Sequence, residues 1–588
     1  MKQAILNQIK DRLVFCYGDT VGQETFERVS ELLAGSADGD FNDSRWSQED
    51  VLLITYGDTF LRDGEKPLET LHDFLKTHVK KAINNVHILP FFPYSSDDGF
   101  SVIDYQQVNP DLGDWPDVEK IGEDYHLMFD FVVNHISRES LWFTHYKADN
   151  PPYNKFFIEM KGDEDVSQVT RPRNTPLLVP AYTHHGRTLV WATFSADQID
   201  LNFENPDVLI KMLEVLLLYL QKGARIIRLD AIAFLWKELG TKCIHLPQTH
   251  EMVKLFRDVM SFVKPESILL TETNVPHAEN LSYFGHQDEA HMVYQFALAP
   301  LVLHALHRGE GNYLTDWAMS LEPPPEGCTF LNFTASHDGI GVRPVEGILP
   351  EREVEDLITS MHRLGGFVTT KSNPDGSESP YEINIALFSA CRETYHSNGP
   401  DQWQVDRFIC SQNIMMTLQG IPAFYIHSLV ATPNDLKGVE QTGRTRSINR
   451  RRWDYEYLLA LVDSGRTSNA EVLKRITNIL QRRKKHKAFH PDTPQKVLNL
   501  GSDFFALWRD AEDLRFPLLA IHNLTNDIKL INLSEIEGMD RFSYWVNLLD
   551  NGGVSHAETK YVLQPYQSVW LMPETVDDVS ALWAPYTD

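Results

Sequence analysis

An α/β architecture is predicted, a (β/α)8 barrel of the TIM type with insertions in its βα loops and a C-terminal antiparallel β domain, and three features of the chain carry that reading. Short apolar runs rich in β-formers alternate with stretches whose apolar residues return every three or four positions. Eight such runs occur: VLLITY (51–56), VHILPFF (86–92), HLMFDFVV (126–133), RIIRLD (225–230), SILLTE (267–272), MVYQFA (292–297), TFLNFT (329–334) and IPAFYI (421–426). From about residue 488 the helical period disappears, and FFALW, LLAIHNL, KLINL, YWVNLL and SVWLM follow one another between Asn, Asp and Gly turns.

The approach to the fourth run shows why helices are expected between strands. PDVLIKMLEVLLLYLQKG begins with Pro206 and Asp207, suited to a first helical turn, and ends at Gly223, suited to a C-cap. It passes straight into RIIRLD. Two long interruptions, 135–195 and 340–395, read as insertions at βα loops. The expected division is a helical extension over 1–50, barrel segments over 51–134, 196–339 and 396–487, and the β domain over 488–588.

Composition narrows the partners. A chain of 588 residues exceeds one hydrophobic core, and its formal net charge of −28 repels nucleic-acid phosphates and anionic membranes. Any anionic ligand then needs a local basic pocket, and small-molecule substrates are expected rather than nucleic acid or membrane; no oligomeric state is implied. Cys16, Cys243, Cys328, Cys391 and Cys410 are odd in number and widely spaced, which argues against a disulfide framework or a structural zinc site and for a reducing compartment. No apolar run suits a bilayer span, and the N-terminal stretch lacks the apolar core of a signal peptide, so a soluble cytoplasmic protein is expected. The histidines of THHG (183–186) read as a loop pair, and Trp191 and Trp236 as core.

Parallel strands deliver their C-terminal ends to one rim of a barrel, where such enzymes do chemistry. The fourth run ends in Asp230, the fifth in Glu272, and the seventh leads into TASHD with His337 and Asp338. Any one of these carboxylates alone reads as a cap or loop residue. Three meeting at one rim read as a site for glycosyl transfer, in which one carboxylate attacks or stabilises the anomeric carbon and a protonated one releases the leaving oxygen. Arg228 lies two residues before Asp230 and projects to the same side of the strand, so it is expected to lower the Asp230 pKa. Glu272 needs a less polar setting that keeps its proton.

RIIRLDA, TET, SHDG and DFVVNH (130–135), in this order, resemble the four short motifs of the α-amylase family, glycoside hydrolase family 13. The resemblance implies Asp230 as nucleophile, Glu272 as general acid/base and Asp338 as the carboxylate that grips sugar hydroxyls, with Arg228, His135 and His337 as their partners. VHILPFFPYSSDDGFSVIDY, TRPRNTP, LVWATFSADQIDLN, YQFALAPLVLHAL and RSINRR are similar to the sucrose phosphorylase-like branch. That likeness implies Asp97 and Phe100 at the sugar, Arg173, Phe194 and Gln198 beside it, and Arg173 and Arg446 as candidate phosphate anchors. The alternative readings are a domain-packing role for Arg173 and a solvated face for the arginine run 450–452.

The acceptor is where the chain departs from sucrose phosphorylases. SPYEIN places Tyr381 and Glu382 where an acceptor loop with Gln is typical, and a carboxylate cannot donate hydrogen bonds to fructose. SPYEIN, TGRTRSINRR and the N-terminal extension look most like glucosylglycerate phosphorylases, which implies an anionic acceptor met by Arg444, Arg446 or Lys371, with TTKSNPDGSE as a flexible turn. Glycerate, fructose, fructose 6-phosphate and glycerol stay open as acceptors, as do an α-glucoside hydrolase and an inactive carbohydrate-binding protein. Phosphate is a substrate in this scheme, so no organic cofactor is expected. No metal is expected either, although some amylases bind calcium beside the equivalent of Asn134.

Overall fold

Each of the eight apolar runs forms one strand of a closed parallel barrel in the computed structural model, which describes residues 2–35, 45–372, 377–397, 399–510, 517–542, 544–550, 552–555 and 560–573. The strands are β1 (Leu52–Thr55), β2 (Asn85–Ile88), β3 (His126–Val132), β4 (Ala224–Asp230), β5 (Ile268–Thr271), β6 (Met292–Tyr294), β7 (Thr329–Phe333) and β8 (Ile421–Tyr425), and β1 closes the ring by pairing with both β2 and β8. Helices cover the outside and side chains fill the inside, so both faces are buried and the runs are apolar without alternation.

Helices α1 (Lys2–Tyr17) and α2 (Asp19–Leu33) form a hairpin on the barrel's exterior. Helix α3 (Pro206–Gln221) begins where the Asn205 side chain accepts from the Asp207 N–H at 3.0 Å, with Pro206 in the first turn. It ends before Gly223, whose φ of 98° only glycine adopts without strain. Helix α4 (Pro247–Val263) connects β4 to β5 and carries Glu251 and Asp258, onto which Arg12 of α1 docks at 3.1 and 3.6 Å.

The stretch between β3 and α3 holds a hairpin (Leu178–Thr183 with Gly186–Trp191) and a short antiparallel pair, His135–Ser137 with Gln198–Asp200. His184 and His185 form the hairpin turn, and Trp191 and Trp236 are buried. After β7 comes helix Glu351–Arg363 and the antiparallel strands Phe367–Ser372 and Glu378–Asn384. The turn residues 373–376 of TTKSNPDGSE lie outside the described residues.

Five strand-like runs beyond residue 488 all appear, four of them in a six-stranded antiparallel sheet with its own core around Trp508 and Trp545. Arg509 fastens this sheet to the barrel. Its guanidinium is buried and donates to the carbonyls of Thr417, Leu418, His490 and Thr493 at 2.8–3.0 Å. Among the described residues no helix is long and apolar enough to cross a membrane.

Candidate active site

Leu229 of β4 lies opposite Thr271 of β5, so the next residues along, Asp230 and Glu272, leave the barrel side by side at its C-terminal rim. Ala231 then turns the chain through a left-handed conformation (φ 53°), and its N–H approaches Glu272 Oε2 at 3.4 Å. Asp338 arrives from the loop after β7. That loop is held by Asn449, whose Nδ2 donates to the carbonyls of Ser336 and Asp338 at 3.1 Å each, and by Arg450, whose Nε donates to the His337 carbonyl at 2.8 Å. Asp230, Glu272 and Asp338 line one cleft.

The charge pair that β4 carries into the barrel is part of a larger buried set. Arg228 donates to Asp130 at 2.5 Å, to Asp230 at 2.8 Å and through Nε to the Tyr294 hydroxyl at 3.1 Å. Burial opposes ionisation of Asp130, but His87, 2.6 Å away, and Arg228 outweigh it and hold that carboxyl at about 2. Asp230 behaves otherwise: Arg228 pulls its pKa down as expected, but does not bring it below the ordinary range. Burial lifts Asp230 above the ordinary carboxylate range, Arg228 only opposes this, and the Asp130 anion sharing the same guanidinium pushes further upward.

Glu272 is raised to about 7, by burial first and then by the neighbouring Asp230 and Asp338 charges against the pull of Arg228. Asp338 lies well below the usual range because Arg446, His337 and Arg450 together overcome its burial. His337 is pushed down to about 3 by burial and stacks on Phe100 with ring centroids 5.2 Å apart. The cleft thus sets an anion at Asp338 beside a carboxyl at Glu272 that exchanges its proton near neutrality. Paired carboxyls with pKa values forced apart suit acid–base work on a glycosidic bond.

Asp97, Phe100, His135, Arg173, Phe194, Gln198, Tyr381 and Arg446 line the same cleft. Asp97 and Asp98 both have positive φ (54° and 49°) and throw their carboxylates to opposite sides. Asp97 accepts from Gln198 Nε2 at 3.1 Å within the cleft, whereas Asp98 pairs with Arg444 and Arg450 behind it. His135 Nε2 lies 2.9 Å from the Phe100 carbonyl, and its ring packs against Phe194 at 5.3 Å.

Residues 73–320 match the family described as Alpha amylase, catalytic domain. A glucosylglycerate phosphorylase of Spirochaeta thermophila is 45% identical over 529 residues, covering 89% of this chain and 89% of that protein. Another, from Escherichia coli, is 42% identical over 90% of this chain and 92% of its own length. The chain belongs to the α-amylase family, in its sucrose phosphorylase-like branch. The crystal structure of sucrose 6F-phosphate phosphorylase from Thermoanaerobacter thermosaccharolyticum shares the fold, with a TM-score of 0.70 at 24% identity over 82% of this chain and 96% of that one.

On this α-amylase-family barrel several residues stand elsewhere than the sequence placed them. Glu382 is in a strand, not a mobile loop, and is buried beneath Arg446, which takes both its oxygens at 2.8 Å. Arg446 also meets Asp338 at 2.6 Å, so it lines the cleft as an already paired cation. Arg444 sits 3.1 Å from Asp98, and Lys371 lies 3.7 Å from Glu346; neither lines the cleft. The arginine run is not a uniform solvated face: Arg450 is buried, Arg451 packs over Trp453 at 3.8 Å, and only Arg452, paired with Asp58 at 2.7 Å, is exposed.

Asn134 has a built-in cation for a neighbour. The Lys237 ammonium donates to Asn134 Oδ1 at 2.8 Å and pairs with Asp200 at 2.7 Å, so a side-chain charge meets these oxygens. Among the described residues no cluster of three or more His, Cys, Asp or Glu side chains is placed to hold a metal ion. Sequence reasoning missed Asn274, Phe234 and Arg343 in the cleft. Asn274 follows Glu272 by two residues, a proximity that was readable; Arg343 carried no signal beyond lying five residues past Asp338.

Proposed function

We propose that the protein is a retaining α-glucoside phosphorylase that carries a glucosyl group from glucosylglycerate to phosphate and releases α-D-glucose 1-phosphate. The observation that carries the reaction type is the side-by-side exit of Asp230 and Glu272 into one cleft, with Glu272 poised at about 7. Two phosphorylases of that named substrate, 42–45% identical over about nine-tenths of the chain, support the choice of donor.

In the first step an Asp230 oxygen bonds to the anomeric carbon as the glycosidic bond breaks, and Glu272 gives its proton to the departing glycerate oxygen. Asp338, held anionic by Arg446, grips ring hydroxyls as the sugar flattens. A phosphate oxygen then attacks the glucosyl ester, gives its proton to Glu272, and frees Asp230. Two inversions restore the α configuration. Asp97, Gln198, His135, His337 and Arg446 hold the sugar, Phe100 and Phe194 wall it, and Arg173 meets phosphate, with Tyr381 beside it. Arg228 acts from behind by positioning Asp230.

The test runs the reaction backwards: α-glucose 1-phosphate with D-glycerate, glycerol, fructose, fructose 6-phosphate or water alone. Phosphate release with D-glycerate well above the others, giving an α-linked product by NMR, is the expected result. Release equal to that in water alone would make the protein a hydrolase, and a β-linked product would exclude double displacement.

A further inference from the structure

Most cations around the cleft are already committed. Arg228 is bound to Asp130 and Asp230, Arg446 to Glu382 and Asp338, and Arg450 to Asp98. Arg343 differs. Its carboxylate neighbour, Glu346, is 3.8 Å away and half exposed, a contact of little worth in water, and its Nε is buried without a hydrogen-bond partner among the described residues. A buried guanidinium N–H left without an acceptor is costly unless a ligand supplies one.

Its place in the cleft points to which ligand. Asn274 follows Glu272 by two residues, and a Cβ on Gly341 would lie 3.1 Å from the Asn274 amide, so the segment bearing Arg343 packs on the strand end that bears Glu272. Asn274 Oδ1 is likewise buried and unpartnered. Asp97, Gln198 and His135, which line the same cleft, are by contrast joined to one another. Arg343 and Asn274 thus bring an unpartnered donor and an unpartnered acceptor to the cleft that Glu272 lines.

Resting on the phosphorylase reading above, we propose that Arg343 recognises the negative group of the acceptor, its guanidinium taking the acceptor's carboxylate. A planar fork of N–H donors matches a carboxylate in charge and shape, and Asn274 offers an acceptor for a neighbouring hydroxyl. Phosphate presents the same oxyanion chemistry, so the experiment separates the two sources.

Initial rates are measured for the wild type, Arg343→Ala and Arg343→Lys in three arms: D-glycerate and its neutral counterpart glycerol, each with α-glucose 1-phosphate, and phosphate with glucosylglycerate. In Arg343→Ala the KM for D-glycerate is expected to rise by about tenfold or more, and the glycerate-over-glycerol preference in kcat/KM to fall by a similar factor. Arg343→Lys should recover part of both. An unaltered preference, or a KM increase confined to phosphate, overturns the assignment while wild-type turnover of D-glycerate keeps the phosphorylase reading. A wild type inert toward D-glycerate but active on glycerol overturns the assignment and the choice of glycerate, and leaves the reaction a phosphorolysis. Arg343→Gln, which keeps the bulk of the side chain, carries the same comparison should the alanine variant not fold.

Discussion

Arg446 holds two carboxylates at once, with Nε and Nη2 each 2.8 Å from the oxygens of Glu382 and Nη1 2.6 Å from Asp338. Glu382 is therefore the counter-charge that aims Arg446, and Arg446 in turn keeps Asp338 ionised. Glu382→Gln leaves Arg446 one acceptor oxygen instead of two at position 382 and no neutralising charge there, with Asp338 its remaining carboxylate. The expected outcome is a kcat/KM lower by about ten- to hundredfold, carried mainly by kcat. Steady-state kinetics decides the matter, since a residue that bound the acceptor directly would move the acceptor KM instead.

Asp230 carries opposite demands of stability and chemistry. Its folded pKa is raised by burial, so ionising it at neutral pH costs stability that an amide does not cost. Asp230→Asn is expected to abolish turnover by a factor on the order of 10⁴ or more while unfolding at an equal or higher temperature at pH 7. Loss of turnover together with a lowered unfolding temperature would point to collapse of the Arg228 network instead.

The pH profile follows from Glu272. Its carboxyl, raised to about 7, is protonated below that pH and loses its proton above it. Because the acid form is needed to protonate the leaving oxygen, kcat/KM should fall above pH 7, approaching tenfold per pH unit. Glu272→Gln should lose most activity on glucosylglycerate and lose this limb. It should keep a measurable first step on a glucosyl donor whose leaving group needs no proton, such as the α-fluoride. An alkaline limb that persists in the variant would assign it to another group.

The barrel was legible because its strands are buried on both faces and so appear as mostly apolar runs without alternation; Asp230 and Glu272 stand out at the ends of two of them. Charge partners were not legible. Asp130, 98 residues from Arg228, decides how much of that guanidinium Asp230 receives, and only the pairing of β3 with β4, which sets Asp130 opposite Arg228, brings them together. The SPYEIN segment shows a subtler failure. Residues along a strand alternate sides, so Tyr381 faces the cleft while Glu382 turns beneath Arg446, and reading the segment as a loop lost that alternation.

The N-terminal hairpin carries a pH dependence of its own. Arg12 of α1 meets Glu251, Asp258 and Asp288, yet burial on α4 still raises Asp258 to about 7, with Arg12 and Arg257 opposing and Asp288 adding to the rise. The unfolded carboxyl titrates near ~3.9, so between about pH 4 and 7 the unfolded chain sheds this proton before the folded one does. Stability from this site is greatest at the acid end of that window, declines as pH rises through it, and is lowest above pH 7. Asp258→Asn removes the ionisation, and the variant is expected to gain about 1–3 kcal/mol over the wild type at pH 8, with the gain shrinking as pH falls toward 4. Thermal unfolding of both proteins at pH 5 and pH 8 measures it. A variant less stable than the wild type by more at pH 8 than at pH 5 would mean that Asp258 is ionised in the fold and that its pairing with Arg12 outweighs the cost of burial.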